Sequence, residues 1–160
     1  MIVPKWLQNQ DNAFLIIVVL LLLWLWLLVH RRQEEERKIP ERTIALNVAD
    51  LGRKAFISIR SNDLFVYRGL FINGKEAKML LGNMAKEYLE RRSVEVLKES
   101  MQLLIEEIPK NATYVGLATT EGTKLIITIK DGEKEHDIYI GSVTRVENSW
   151  RLLEPKGGLT

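Results

Sequence analysis

From Ala13 to Val29 the chain reads AFLIIVVLLLLWLWLLV, without a charge, a glycine or a proline. As a helix these residues rise roughly 26 Å, at the short end of what crosses a hydrocarbon core. A secretory leader has a shorter apolar region and a small-residue cleavage site. Here His30-Arg31-Arg32-Gln33-Glu34 follows instead. A helix of a water-soluble core shows polar positions every two turns, and this run shows none. The expectation is a transmembrane helix over 13–30, which satisfies its backbone polar groups within the segment. Trp6, Trp24, Trp26, His30, Arg31 and Arg32 are its expected interface residues, because indole rings and basic heads favour the headgroup boundary. For Trp24 and Trp26 a second reading is plain apolar bulk facing lipid or a partner.

Basic residues near the ends set the expected orientation. Lys5 stands on one side, and Arg31, Arg32, Arg37, Lys38 and Arg42 on the other. The excess puts the C-terminal domain on the cytoplasmic side, or its stromal or matrix equivalent, and the N-terminus outside. The expected organisation is a short external N-terminus (1–12), the span (13–30), a charged juxtamembrane linker (31–42), a soluble domain (43–154) and a disordered tail (155–160). The linker carries both charge signs and Pro40, with no apolar face.

The remaining residues suffice for one core and one domain. The formal net charge is only +2. A nucleic-acid binder carries a clear basic excess on one face, so nucleic acid is not an expected partner. There is no cysteine, which excludes disulfides, thiolate nucleophiles and cysteine-based metal sites. The sequon Asn111-Ala112-Thr113 reads as a chance occurrence if the domain faces the cytoplasm.

Periodicity then gives an order of elements. Alternation at Ile44, Leu46 and Val48, at Phe56–Arg60, and over Leu64–Ile72 predicts three strands. Apolar residues at Ala77, Leu81, Met84 and Tyr88 predict a helix over Lys75–Arg91. Leu97, Met101, Leu104 and Ile108 predict a second over Val94–Ile108. The two stripes do not continue each other, so the chain breaks near Arg91–Ser93, with Ser93 as N-cap. Strands follow at Tyr114–Ala118, Lys124–Lys130, His136–Ile140, Val143–Val146 and Trp150–Leu153. Asp131-Gly132 is a hairpin turn and Gly141-Ser142 another turn. The fold class is α+β: β-β-β-α-α-β-β-β-β, a mostly antiparallel sheet with two packed helices.

The search for chemistry finds no expected catalytic, cofactor or metal residues. His136 lies among Glu133, Glu135 and Asp137, but strand alternation puts Glu135 and Asp137 on the opposite face. Gly74-Lys75 lacks the first glycine of a phosphate loop and is followed by Glu76 where Ser or Thr would bind magnesium. No serine sits in a nucleophile elbow. Lys86, Arg91, Arg92 and Lys98 form the most suggestive surface set, for an acidic partner or lipid headgroups. The plainer reading is a solvated helix face paired with Glu87, Glu90, Glu95 and Glu99.

The expected function is therefore that of a non-enzymatic accessory protein: an assembly factor, small subunit or tether. It would be anchored in the lipid bilayer and bind a larger membrane complex through its soluble domain, with no metal and no cofactor. Two alternatives are a membrane-bound sensor or enzyme with a pocket between helices and sheet, and a component of an envelope or secretion machine.

Overall fold

A computed structural model of the protein describes residues 17–27, 43–119 and 123–158. Contacts divide the chain into two compact units, Met1–Ile39 and Pro40–Thr160. In the first, helix α1 covers 17–27. Its eleven residues are all apolar and all exposed. At 1.5 Å per residue the described stretch rises about 16 Å. Among the described residues no helix is long and apolar enough to cross a membrane. This corrects the expected single-pass transmembrane helix, the lipid-bilayer anchor and the sidedness built on them. Trp24 and Trp26 lie on α1, exposed. Residues 13–16 and 28–30 of the expected span, and with them Trp6, His30, Arg31 and Arg32, lie outside the described residues, as does the linker.

The second unit runs α2 (Val48–Arg60), α3 (Leu64–Gly69), α4 (Gly74–Leu81), a 3₁₀ turn (Gly82–Met84), α5 (Ala85–Arg91), α6 (Val94–Glu107), β1 (Thr113–Thr119), β2 (Lys124–Asp131), β3 (Lys134–Val146) and β4 (Ser149–Pro155). The strands form an antiparallel meander in the order β1-β2-β3-β4. The α+β class and the antiparallel sheet are as expected. The three leading strands are not: helices α2 and α3 stand in their place. Buried Leu51, Gly52, Ala55, Phe56 and Ile59 recur at helical spacing, while Ile57, in phase with Ile59 for a strand, is exposed. Asn47 accepts the Asp50 N–H at 2.8 Å, and Asp63 the Val66 N–H at 3.0 Å. Both residues look like turn signals, and both are helix N-caps.

Ser93 is the N-cap of α6, as the phase break predicted, with its Oγ accepting the Val96 N–H. The expected helix over 75–91 is broken. Gly82 adopts φ +57°, which ends α4, and a 3₁₀ turn leads into α5. Met84, expected on the buried stripe, is thereby turned out and is 66% exposed.

In the sheet, Asp131-Gly132 makes the β2–β3 hairpin, with Gly132 at φ +62°. The expected turn at Gly141-Ser142 is absent. Strand β3 runs straight through it, with a register shift between Ser142 and Val143. Gly141 serves a close approach instead: a Cβ there would lie 2.3 Å from the Glu154 carbonyl oxygen. Gly141→Ala must push two backbones apart, and about 2 kcal/mol of stability is expected to be lost in urea unfolding. Of the residues read as a disordered tail, Pro155 ends β4 and Lys156 pairs with Glu107. Residues 159–160 lie outside the described residues.

One core lies between the sheet and the helices. Leu125, Ile127 and Ile129 of β2, with Ile138 and Ile140 of β3, face Leu51, Ala55, Phe56 and Ile59 of α2. Gly52 lets α2 approach β2, where an added Cβ would meet Ile127 at 3.0 Å. Helices α3 and α6 pack on α2 and bring Tyr67, Leu97, Met101 and Leu104. The Tyr67 hydroxyl meets Ser100 Oγ at 3.3 Å inside this core. Burial pushes the Tyr67 phenol up to about 12. The neutral phenol therefore stabilises the fold fully below pH 10, and this contribution is lost as pH rises through about 12. A tyrosinate absorbance titration is expected to show one late step near 12 that Tyr67→Phe removes.

A second, smaller core joins Ile72, Ala77, Ala85, Tyr88 and Val146, with Leu81, Leu89 and Leu153 packed around it. It seats α4 and α5 against the β4 end of the sheet. That end is closed further by bridges from Ala45 to Trp150 and from Phe71 to Leu152.

Candidate functional site

Two concavities among the described residues bear on function. The larger, about 500 Å³, lies where α6 ends beside β3, lined by Glu107, Pro109, Glu135, His136, Asp137 and Ile138. Its acids are partly engaged: Lys156 pairs with Glu107, and the Thr128 hydroxyl donates to Asp137 at 2.8 Å. Glu135, His136 and Asp137 are all exposed. Among the described residues no group of three or more His, Asp or Glu side chains is placed to hold a metal ion. The cleft is a solvated polar surface.

The smaller concavity is a groove of about 240 Å³ between α5 and β4. Leu81, Met84, Tyr88 and Leu153 make its apolar wall, and Glu87, Arg91 and Glu154 its rim. Three features build it. The Gly82 break sends the chain out at Met84 before α5 begins. The Tyr88 hydroxyl donates to the Leu153 carbonyl oxygen, which ties α5 to β4. Strand β4 turns Leu152 into the main core, fully buried, and leaves the next residue, Leu153, for the groove. Met79 and Leu80 of α4, which precede Leu81, are 54% and 42% exposed. Met84 gives the groove a flexible, exposed apolar side chain. Methionine adapts to varied partner shapes, which is why it recurs at binding surfaces.

The rim is electrostatically uneven. Arg91 donates to Glu87 at 2.5 Å and Lys86 lies 3.8 Å from Glu90, so these charges are paired along α5. Glu154 has no cation partner among the described residues. Its backbone N–H donates to Ser142 Oγ at 3.0 Å, and Ser142 Oγ meets its carboxylate at 3.5 Å. Burial pushes up both the Tyr88 and Tyr139 phenols, and the Glu154 charge pushes the same way on each; at Tyr88 the Arg92 guanidinium opposes it.

Within the expected basic set Lys86, Arg91, Arg92 and Lys98, three side chains are exposed and Arg92 is not. Lys86 and Arg91 lie on α5 in pairs with glutamates. Lys98 is exposed on α6. Arg92 turns inward, its Cζ 5.4 Å from the Phe71 ring centre and 5.3 Å from that of Tyr88. Its Nε and Nη1 are shielded from solvent and have no hydrogen-bond acceptor among the described residues. Burial lowers the guanidinium pKa, opposed by Tyr88 and Glu76. The ring faces hold this charge by a cation–π contact, which brings Tyr88 into position at the groove.

A buried ion pair supports the same region from behind. Arg151 Nε donates to Glu76 Oε1 at 3.1 Å, and Arg151 Nη1 to the Thr43 carbonyl oxygen at 2.9 Å. Glu76 Oε2 accepts the Asn73 N–H at 2.7 Å in a capping box that starts α4.

Leu81, Met84, Leu153 and Glu154 were not singled out as a site by the sequence. A signal exists in the run Met79-Leu80-Leu81 followed by Met84, which is more apolar surface than one helical stripe can bury.

No protein family, curated protein sequence or solved structure matches the chain.

Proposed function

We propose that the chain is a non-catalytic accessory protein, an assembly factor or small subunit, whose α+β unit holds a partner protein in the groove between α5 and β4. The observation that carries this reading is the groove's composition: Leu81, Met84, Tyr88 and Leu153 form its apolar wall, with Met84 66% exposed. Binding hot spots form where an anchor side chain enters a pocket of this kind within a polar rim. A volume of about 240 Å³ falls below the roughly 300 Å³ at which small-molecule pockets begin, so a side-chain anchor fits better than a free metabolite. The space between helices and sheet is filled by the main core, which disfavours a ligand chamber there. Helix α1 supports the same reading, because its exposed apolar side chains suit a chain that works inside an assembly.

Met84→Asp is the test. The side chain is solvent-exposed, so the change is expected to cost under about 0.5 kcal/mol of stability. Placed in an apolar contact, the charge is expected to weaken partner binding at least about tenfold. Tagged full-length chain, isolated from its own cells with and without the substitution, reports this through the partners that co-purify in stoichiometric amount. An unchanged partner set at unchanged melting temperature overturns the reading.

A further inference from the structure

We infer that the groove selects a segment in which an aliphatic anchor stands next to a lysine or arginine, the anchor filling the space between Met84 and Leu153 and the cation meeting Glu154. This rests on the reading of the groove as a protein-binding site and adds the chemistry of the partner. The rim carries the argument. Glu87 is bonded to Arg91 within its own helix, so the two charges largely cancel toward a visitor. Glu154 is exposed, has no cation among the described residues, and is held at the groove by both of its bonds to Ser142. Tyr88 lines the same groove, and the Glu154 charge acts on its phenol. An exposed, unpaired carboxylate at the rim of an apolar groove receives an ammonium or guanidinium group through a charge-assisted hydrogen bond. An acidic segment meets repulsion at the same place, so Glu154 discriminates as well as attracts. The apolar wall supplies affinity, and the rim charge supplies specificity and association rate.

A phage-displayed library of random peptides, panned on the full-length chain in mild detergent, tests this. Enriched peptides are expected to share a Leu, Met or Ile with a Lys or Arg within one helical turn or two extended residues. Their binding is expected to vanish on Met84→Asp. Glu154→Lys is expected to weaken it about tenfold, which exceeds what one exposed ion pair contributes because the sign is reversed. Replacing the peptide's Lys or Arg by Glu is expected to restore binding to Glu154→Lys. Both variants change exposed side chains, and their melting curves confirm folding. Peptides that depend on Met84 but show no basic preference, or ignore Glu154→Lys, overturn the inference and leave the groove reading standing. Peptides that bind Met84→Asp undiminished, or no enrichment at all, overturn both.

Discussion

Arg151→Ala is expected to lose about 3 kcal/mol of stability, although no catalytic role is involved. The pair it forms with Glu76 is nearly withdrawn from water, with side-chain exposures of 7% and 13%. Removing the guanidinium strands the Glu76 carboxylate in a poorly solvated place and removes the Arg151 bond to the Thr43 carbonyl. The cost is mainly that of an unpaired buried charge, and the worth of the pair itself is smaller. A second variant separates the two. Arg151→Met with Glu76→Gln is expected to be more stable than Arg151→Met alone. Glutamine still closes the capping box on Asn73 and leaves no charge behind. Urea unfolding of the three chains checks the order. If the double variant is the least stable, the pair contributes directly and the desolvation argument fails.

Tyr67→Ala is expected to lose about 4 kcal/mol, in the range for deleting a fully buried aromatic ring. Tyr67 has no exposed surface and meets Phe71 edge-to-face at 5.4 Å between ring centres. It stands where α3 and α6 meet, so the cavity would open between these two helices. Tyr67→Phe keeps the ring and removes only the contact with Ser100, and about 1 kcal/mol is expected. A loss under about 1 kcal/mol for Tyr67→Ala would mean that the helices close over the gap, and that the core is looser than its packing implies.

The C-terminal half of this fold was legible in the residues because its signals are local. Asp131-Gly132 permits one kind of turn, and Leu125, Ile127 and Ile129 alternate cleanly beside it. Ser93 and the phase break at Arg91–Arg92 mark a helix start without help from tertiary contacts. The first helices were misread for an equally local reason. Ile57 and Ile59 are two residues apart, and so short a pair fits a strand as well as a helix. The deciding set, Leu51, Ala55, Phe56 and Ile59, includes a glycine neighbour, Gly52, that resembles a turn until its contact with β2 is known. Gly141 misled in the same way, because close backbone approach and a turn both call for glycine. The apolar run at 13–30 set the expected anchor, whereas the described helix there covers 17–27. The groove was invisible for a different cause. Met84 and Glu154 lie far apart in the chain, and only the Gly82 break and the register of β4 bring them to one place.

The measurement that bears most directly on the groove as an interaction surface is site-specific photocrosslinking in living cells. A photoreactive side chain is placed at Met84 in one chain and at Lys98, on the exposed face of α6, in another. A discrete protein adduct from position 84, lost when Leu153→Asp is added and missing from position 98, is the predicted result. The same adduct from position 98 and none from position 84 would move the interface to the exposed face of α6 and contradict the account.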